Sequence, residues 1–187
     1  MEIITKRLIL KPSDPLCPDS ACDYLTSADN ARFMIHLPAS SREEVLQLLT
    51  NAKHEWAKAE PSFYEFVILL GGIHVGGISI FFTDSDRYEA ELGWIVSRRY
   101  WHMGIAYEAA SGLIAYAQRE WGIRQFIAQC DSENIPSRRL MEKLGMQFVS
   151  CLGGRKNRSS KEERLECTYA LTLNPEFSCS KNRPSIP

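Results

Sequence analysis

The sequence predicts a single α/β domain built on a mixed, strongly twisted sheet of about seven strands flanked by about four helices. Three observations lead to this fold class. Residues 64–96 alternate β-rich runs with short turns that carry glycine or aspartate, as antiparallel strands do. Residues 89–129 then follow a strand, helix, strand order, which predicts two parallel neighbours joined by a crossover. A chain of 187 residues is also long enough to bury one sizeable core.

The composition is that of an ordinary soluble globular protein, with 44% hydrophobic and 24% charged residues. Lys plus Arg number 22 and Asp plus Glu number 23, so the net charge is −1, whereas nucleic-acid binders normally carry a basic excess. No apolar run approaches the length of a membrane span, and the N-terminus has neither the order nor the length of a signal peptide. We therefore expect a cytoplasmic protein with neither a nucleic-acid nor a membrane partner.

The cysteines and histidines favour neither a disulfide framework nor a metal site. No Cys-x-x-Cys pair occurs, and the four histidines do not cluster in the sequence. We expect free thiols in a reducing compartment and no bound metal. The cysteines are Cys17, Cys22, Cys130, Cys151, Cys167 and Cys179.

The first third of the chain predicts one strand followed by helices. Residues 2–10 alternate and are rich in isoleucine, and prolines follow the strand. The strongest helix signal is a capping box formed by Ser41 and Glu44, after which the apolar residues keep a 3.6-residue period as far as Trp56. The helices are expected at about residues 19–27, 30–35 and 41–56.

The middle of the chain predicts three antiparallel strands with clear turn signals between them. Gly71 and Gly72 form the first turn, and residues 84–86 form the second. Gly76 and Gly77 lie inside the second strand, which suggests a bulge or a close backbone approach there. The strands are expected at residues 64–70, 74–83 and 89–96.

The last of these strands carries two carboxylates on one face. Alternation places Glu89, Glu91, Gly93 and Ile95 together, opposite the more apolar residues of the strand. A solvated strand edge is one interpretation. The other is that a glutamate beside an apolar groove has a raised pKa and removes a proton from an incoming ammonium group.

The segment between this strand and the next helix predicts an anion site. A strand that turns sharply into a helix directs unpaired backbone N–H groups outward at the positive end of the helix dipole. Such a site suits a phosphate or pyrophosphate, and Gly104 and Ala106 would let the ligand approach the backbone closely. A plain strand-to-helix connection is the alternative.

The following elements complete a strand, helix, strand unit. The helix is expected to end at Trp121 with Gly122 as its cap, and a short buried strand follows at 125–129. A second helix has Pro136 in its first turn and Gly145 at its end. The place where the two parallel strands separate is a natural slot for an extended ligand.

The C-terminal part predicts a closing hairpin of residues 147–152 and 164–173. Its link, residues 153–163, is polar and expected to be mobile. The four basic residues of the link either guide an acidic acceptor or are simply solvated; they are Arg155, Lys156, Arg158 and Lys161. Residues 174–187 have little to bury and are expected to be poorly ordered, so the domain is expected to span residues 1–173.

Two segments resemble the GNAT acetyltransferases. Tyr100 to Ala109, YWHMGIAYEA, resembles the acyl-CoA-binding motif in the form usual for the ribosomal-protein N-terminal acetyltransferases, with Trp101 at the common Gln/Arg position. Asn134 to Phe148, NIPSRRLMEKLGMQF, resembles the second family segment. One departure matters: Met141 stands where many members have a tyrosine that protonates the leaving thiolate. The similarity covers roughly residues 3–173.

The resemblance implies the GNAT order of elements, acetyl-CoA as co-substrate and direct acetyl transfer to an amine. It implies Glu91 as a base acting directly or through water, and Ser137 or a water as the proton donor. Arg98 and Arg99 would reach cofactor phosphates. The residues implied in cofactor binding are Ile95, Val96, Trp101, His102, Met103, Gly104, Ile105, Ala106, Asn134, Ser137 and Arg139.

The sequence does not identify the molecule that accepts the acetyl group. The resemblance implies a primary amine, either a protein N-terminus, including that of a ribosomal protein, or a small amine. The alternative is a domain that binds acyl-CoA without turning it over, as a sensor or interaction module. Either a monomer or a homodimer is compatible with the sequence.

Overall fold

The structure is a computed structural model that describes residues 1–15, 18–83 and 88–173. The predicted turn at 84–86, the tail from 174 and two of the cysteines, Cys17 and Cys179, lie outside the described residues. The strands are β1 (Ile3–Ile4), β2 (Leu8–Pro12), β3 (Phe63–Leu70), β4 (Ile73–Phe82), β5 (Glu89–Val96), β6 (Gln125–Asp131), β7 (Gln147–Lys156) and β8 (Glu163–Thr172). The α-helices are α1 (Pro18–Leu25), α2 (Arg42–Trp56), α3 (Ile105–Tyr116) and α4 (Ile135–Lys143).

The predicted fold class is confirmed. The strands form one mixed sheet in the order β1-β2-β3-β4-β5-β6-β8-β7, with four α-helices. The described part of the sheet has eight strands instead of about seven, because the opening strand divides into a hairpin. Ile3 pairs with Leu10, and the amide of Thr5 donates to the carbonyl of Leu8 at 2.9 Å, which turns the chain back on itself.

The two central strands β5 and β6 are parallel, as predicted, and they pair over a short distance. The paired residues are Glu89 with Gln125, Ala90 with Phe126 and Glu91 with Ile127. Beyond Glu91, β5 continues to Val96 along β4, while β6 continues to Asp131 along β8. The two strands therefore separate and leave a wedge-shaped gap, which we call the β5–β6 gap.

Helices cover the two faces of the sheet over separate apolar clusters. The larger cluster lies under α3 and α4 and includes Val96, Leu113 and Met141. The smaller cluster lies under α1 and α2, where Tyr24 and Leu49 are buried and Ile95 packs against them. Successive residues at the end of β5 thus face opposite clusters, as the alternation predicts.

The predicted close approach at Gly76 and Gly77 is also observed. A Cβ atom at Gly76 would lie 2.3 Å from the carbonyl oxygen of Ile95, which no side chain tolerates. The register between β3 and β4 shifts beside this point, between Ile68 and Leu69. The glycine therefore brings β4 against the part of β5 that borders the gap.

Helix boundaries follow the local signals. In α2 the hydroxyl of Ser41 accepts from the amide of Glu44 at 3.3 Å, and the Glu44 carboxylate accepts from the amide of Ser40 at 2.7 Å. A π-helical turn, Ala117–Trp121, extends α3 to the left-handed cap Gly122, whose φ is 73°. These boundaries confirm the sequence prediction.

The prediction of a short helix at residues 30–35 is wrong, because the chain forms turns there. The Asn30 side chain forms long-range hydrogen bonds instead of supporting a helix. Its Nδ2 donates to the carbonyl of Val96 at 2.7 Å, and its Oδ1 accepts from the amide of Arg98 at 2.9 Å. This turn, residues 28–34, therefore attaches to the end of β5.

Four cysteines, Cys22, Cys130, Cys151 and Cys167, carry free thiols. Within the described ranges, no group of three or more His, Cys, Asp or Glu side chains is arranged to hold a metal ion. No helix in the described part of the chain is long and apolar enough to cross a membrane.

Candidate active site

The turn that leads into α3 has the geometry of an anion-binding site. Gly104 is the N-cap of α3 and lies in the left-handed region, with φ 74° and ψ 11°, and His102 has φ 63°. Gly104 supplies no capping side chain, and the first N–H groups of a helix have no intrahelical acceptor. A Cβ built on Gly104 would come within 4 Å of only one described atom, Nη2 of Arg7, at 3.6 Å. The turn therefore leaves room for an anion over amides 103–106.

A clamp from the β1–β2 hairpin fixes this turn. Thr5 Oγ1 and the Arg7 amide both donate to Oε1 of Glu108, at 2.7 and 2.6 Å, and Arg7 Nε donates to Oε2 at 2.6 Å. Arg7 Nη2 also donates to the carbonyl of Met103 at 3.0 Å. Burial alone would raise the pKa of Glu108, but the hydrogen bonds from Thr5 and Arg7 outweigh it and hold that pKa below its usual value.

The backbone of β5 presents its last residues to the β5–β6 gap. The amide of Ser97 donates to the carbonyl of Val75 on β4 at 2.8 Å. Backbone groups alternate sides along a strand, so those of Ile95 also face β4, whereas those of Trp94 and Val96 face the gap. Of the two residues predicted to pair with an extended ligand, only Val96 therefore has its backbone directed into the gap.

The Val96 carbonyl is occupied by two side chains. Asn30 Nδ2 and Trp101 Nε1 each donate to it at 2.7 Å. The predicted cofactor residue Trp101 thus holds the turn against the strand while part of its ring stays exposed. Because the carbonyl is saturated, the Val96 amide and the backbone groups of Trp94 are left to interact with a ligand in the gap.

Glu91 lies at the last paired position before the gap opens. It is partly buried and lies on the same face as Ile95, towards α1 and α2. Burial raises the pKa of Glu91, the carboxylate of Glu166 raises it further, and the guanidinium of Arg155 opposes both. The direction of this shift agrees with the prediction of a carboxylate beside an apolar groove.

Another carboxylate, that of Glu65 on β3, also has a raised pKa. Glu65 pairs across the sheet with Ser79, which pairs in turn with Gly93 of β5. Burial raises the pKa of Glu65 to about 7, although a hydrogen bond with Ser79 opposes the shift. Glu65 lies two strands away from β5, so it is separated from the gap.

Arg155 is the centre of a buried polar network beside Glu91. It is 8% exposed, forms an ion pair with Glu166, and donates from Nη2 to the carbonyl of Phe33 at 2.7 Å. Its Nε donates to Asn157, whose amide donates to Asp131 at 2.6 Å. The network joins strands β6, β7 and β8 to the turn at 28–34.

The prediction of a mobile, solvated link at residues 153–163 is therefore wrong for its first half. Strand β7 extends to Lys156, and Arg158 donates to the carbonyl of His36 at 3.0 Å and to Glu44 Oε2 at 3.1 Å. Arg155 and Arg158 are thus structural, and Lys161 remains exposed.

The second family segment forms α4 and its cap. The Asn134 side chain accepts from the amide of Ser137 at 3.3 Å, so it holds the loop in the way an N-cap does. Ser137 is buried, and a hydrogen bond joins it to the thiol of Cys130. Met141 is fully buried in the larger cluster and has no proton to donate.

Of the three arginines predicted to reach phosphates, two already have partners. Arg98 forms an ion pair with Asp29, and Arg99 Nη1 lies 3.8 Å from Asp23. Arg139 is exposed on α4. Arg7, which the sequence analysis did not single out, contacts the anion turn directly through the carbonyl of Met103.

The amino-acid sequence matches a known family. The model of the acetyltransferase (GNAT) domain matches residues 7–147. The chain is 30% identical over 156 residues to YnaD of Bacillus subtilis (strain 168), described as an uncharacterized N-acetyltransferase, and this match covers 81% of this chain and 88% of YnaD.

Solved structures share the fold. RimL, the ribosomal L7/L12 α-N-protein acetyltransferase in complex with coenzyme A, has a TM-score of 0.82 at 14% identity, covering 92% of this chain and 98% of that one. The microcin C7 self-immunity acetyltransferase MccE, in complex with acetyl-CoA and AMP, has a TM-score of 0.79 at 13% identity, covering 90% and 93%. At these identities the likeness is one of fold.

The clamp on the anion turn predicts a pH-dependent contribution to stability. Replacing Glu108 with Gln is expected to lower the free energy of unfolding by about 1–2 kcal/mol at pH 7, because charge-assisted hydrogen bonds to Thr5 and Arg7 are lost. The pKa of Glu108 is lower in the folded chain, so its contribution is present above the unfolded pKa and disappears as the pH falls through the folded value. Urea unfolding from pH 7 to pH 3 measures both effects.

The matched control is Glu2→Gln in the same hairpin, which removes an exposed pair with Lys11. This change is expected to cost less than about 0.5 kcal/mol. Equal losses for Glu2→Gln and Glu108→Gln, or a Glu108→Gln deficit that persists unchanged at pH 3, would contradict the clamp.

Proposed function

Because this chain belongs to the GNAT family of acetyltransferases, we propose that it transfers an acetyl group from acetyl-CoA to a primary amine. The observation that carries the proposal is the β5–β6 gap, which has the open anion turn of α3 at one end and Glu91 at the last strand pair. The relatives are described as acetyltransferases, which favours turnover over a module that binds acyl-CoA without reaction. Acetyl-CoA is thus the proposed donor, and a primary amine is the proposed acceptor.

The site suits the donor on three points. Amides 103–106 and the bare Gly104 suit the diphosphate of CoA, because the helix terminus and the absence of a Cβ favour close contact with an anion. The backbone groups of Trp94, which face the gap beside the Val96 amide, suit an extended pantetheine arm that pairs like a strand. Arg139, exposed on α4, adds a cation for the phosphates. RimL and MccE, two structures of the same fold with bound CoA or acetyl-CoA, support the same donor.

The proposed reaction begins with a proton transfer to Glu91, directly or through a water. The neutral amine nitrogen attacks the thioester carbonyl carbon, a C–N bond forms, and the Val96 amide donates to the developing oxyanion. The C–S bond then breaks, the thiolate leaves with its electron pair, and the nitrogen releases its second proton to water to give the neutral amide. Ser137 or a water supplies the proton to sulfur, because Met141 has none.

Two kinds of primary amine fit the proposed site. The fold shared with RimL supports a protein N-terminus, including a ribosomal one, and a small-molecule amine is the other acceptor that the family resemblance implies. The free thiols favour action in a reducing compartment such as the cytoplasm. Release of free thiol from acetyl-CoA with a panel of N-terminal peptides, polyamines and other small amines tests the activity. Absence of release with every amine would overturn it.

The anion turn predicts a selective loss of CoA affinity in Gly104→Ala. A side chain at φ 74° is strained and stands where the phosphates approach the backbone, so the dissociation constant for CoA is expected to rise at least about tenfold. Isothermal titration calorimetry measures this constant. The matched control is Gly122→Ala, at φ 73° at the other end of the same helical segment, where a Cβ meets nothing within 4 Å of the described atoms.

Both alanine variants are expected to lose a similar amount of stability, about 1 kcal/mol, because both force a left-handed alanine. Only the Gly104 variant should lose affinity. An equal loss of CoA binding in the two variants would mean that strain, and not the anion turn, is responsible.

The raised pKa of Glu91 predicts the pH dependence of the reaction. A base acts only when deprotonated, so wild-type kcat/KM is expected to fall as the pH drops through this raised pKa. Glu91→Gln is expected to lower kcat/KM by roughly a hundredfold at pH 7 and by less at pH 9, where more of the acceptor amine is already neutral. Thiol-release rates between pH 6 and pH 9.5 measure both.

The control is Glu65→Gln, which removes the other carboxylate with a raised pKa on this face of the sheet. Its pH profile is expected to match that of the wild type. A Glu91→Gln profile that runs parallel to the wild-type profile would remove the proton-transfer role from Glu91.

A further inference from the structure

A cavity of about 410 Å³ lies between the turn at 28–34 and the loop at 157–162. This volume is within the range of small-ligand pockets, which run from roughly 300 to 1,000 Å³. The residues that line it are Arg32, Phe33, Asn157, Ser159, Ser160, Lys161, Glu162 and Arg164. The lining therefore carries three cations and one carboxylate.

Two of these cations are not neutralised. Arg164 lies 3.3 Å from Asp131 and forms a further ion pair with Glu133, and the Glu162 carboxylate lies 3.8 Å from Arg164. By contrast, neither Arg32 nor Lys161 forms an ion pair with any residue that the structure describes. Both residues are exposed.

The position of Arg32 is restricted by its surroundings. Its guanidinium lies over the Phe33 ring, 5.0 Å from the centroid, and its carbonyl accepts from the hydroxyl of Ser159 at 3.0 Å. The Phe33 carbonyl is in turn held by Arg155. A cation fixed in this way loses less conformational entropy when it binds an anion than a free surface side chain does.

Arg155 links this cavity to Glu91. It donates to Phe33 and to Asn157, both of which line the cavity, and it acts electrostatically on the Glu91 carboxylate. Asp131, at the carboxyl end of β6, closes the same side through Asn157. An amine held at Glu91 would thus be separated by a single residue, Arg155, from the lining of the cavity that contains the two free cations.

We propose that Arg32 and Lys161 form an anion subsite of the acceptor site, so that the enzyme prefers amines with a carboxylate or phosphate a short distance from the reacting nitrogen. For a peptide acceptor, this means an N-terminus followed closely by acidic residues. The inference rests on the proposed acetyl transfer to a primary amine and narrows the class of acceptor. A charge-assisted hydrogen bond from each cation supplies the selectivity.

Matched N-terminal peptides test the subsite. Two hexapeptides differ only in having Asp and Glu, or Asn and Gln, at positions 2 and 3, and a third carries phosphoserine at position 2. The wild-type enzyme is expected to show roughly tenfold higher kcat/KM for the acidic peptide than for the neutral one. This advantage should shrink between 20 mM and 500 mM salt, because screening weakens exposed charge pairs. The third peptide identifies which of the two anions binds better.

Two variants locate the effect. Arg32→Gln and Lys161→Gln are each expected to lower kcat/KM for the acidic peptide by roughly three- to tenfold, mainly through KM, and to leave the neutral peptide unchanged. The matched control is Arg124→Gln, an arginine stacked over Tyr88 next to the opposite end of β6, which should alter neither. Equal kcat/KM for the acidic and neutral peptides, or equal losses on both in the variants, would overturn the subsite.

Failure of the acetyl transfer itself gives a different result. In that case no thiol is released with any peptide, while calorimetric titration of the acidic and neutral peptides into the enzyme with CoA present still compares their affinities. Tighter binding of the acidic peptide that is lost in Arg32→Gln supports the subsite, and equal binding contradicts it.

Discussion

The separation of β5 from β6 after three residue pairs is the constraint on which the rest of the site depends. Strand β5 keeps its hydrogen bonds to β4 along its whole length, so on the other side the polar groups of Trp94 and Val96 need partners. The Val96 carbonyl obtains two from Asn30 and Trp101. The carbonyl at the rim of the gap is thus paired within the protein, whereas the Val96 amide and the first amides of α3 remain available to a ligand. This unpaired strand edge is where we propose that an extended ligand binds.

The walls of the gap are held by charged groups whose burial is compensated. A buried ion pair stabilises a fold only when its remaining hydrogen-bonding capacity is satisfied. Arg155 meets this condition through Glu166, Phe33 and Asn157, and among the described residues no buried side-chain nitrogen or oxygen lacks a partner. The same network places Glu166 where it raises the pKa of Glu91. Structural support and electrostatic tuning of the candidate base therefore come from one set of residues.

Local signals in the sequence predict the elements well. The Ser41 capping box, the left-handed Gly122 cap and the turn at Gly104 depend on residues within one helical turn, and all three are found where the sequence indicates. The parallel pairing of β5 and β6 also follows, because a strand, helix, strand order has one favoured handedness. The turn before α3 is predictable for the same reason, because the segment that resembles the acyl-CoA-binding motif, residues 100–109, is short and contiguous.

The contacts that assemble the site could not be predicted in this way. Asn30 reaches β5 across 66 residues, Arg7 reaches Glu108 across 101, and Arg155 reaches Phe33 across 122. No periodicity or spacing connects such residues. The same distance explains two wrong predictions: the helix at 30–35, where Asn30 bonds to β5 instead, and the solvated link that begins at residue 153, where Arg155 is buried. The residues next to a polar side chain in a loop do not show whether that side chain is exposed to water or forms hydrogen bonds with a distant part of the chain.

A crystal structure of the chain with CoA bound tests the central claim most directly. The account predicts the diphosphate oxygens within about 3 Å of the amide nitrogens of residues 103–106, with the thiol arm lying in the β5–β6 gap beside the amide of Val96. A diphosphate bound elsewhere, or a gap that closes by further pairing of β5 with β6 when CoA is present, would contradict it.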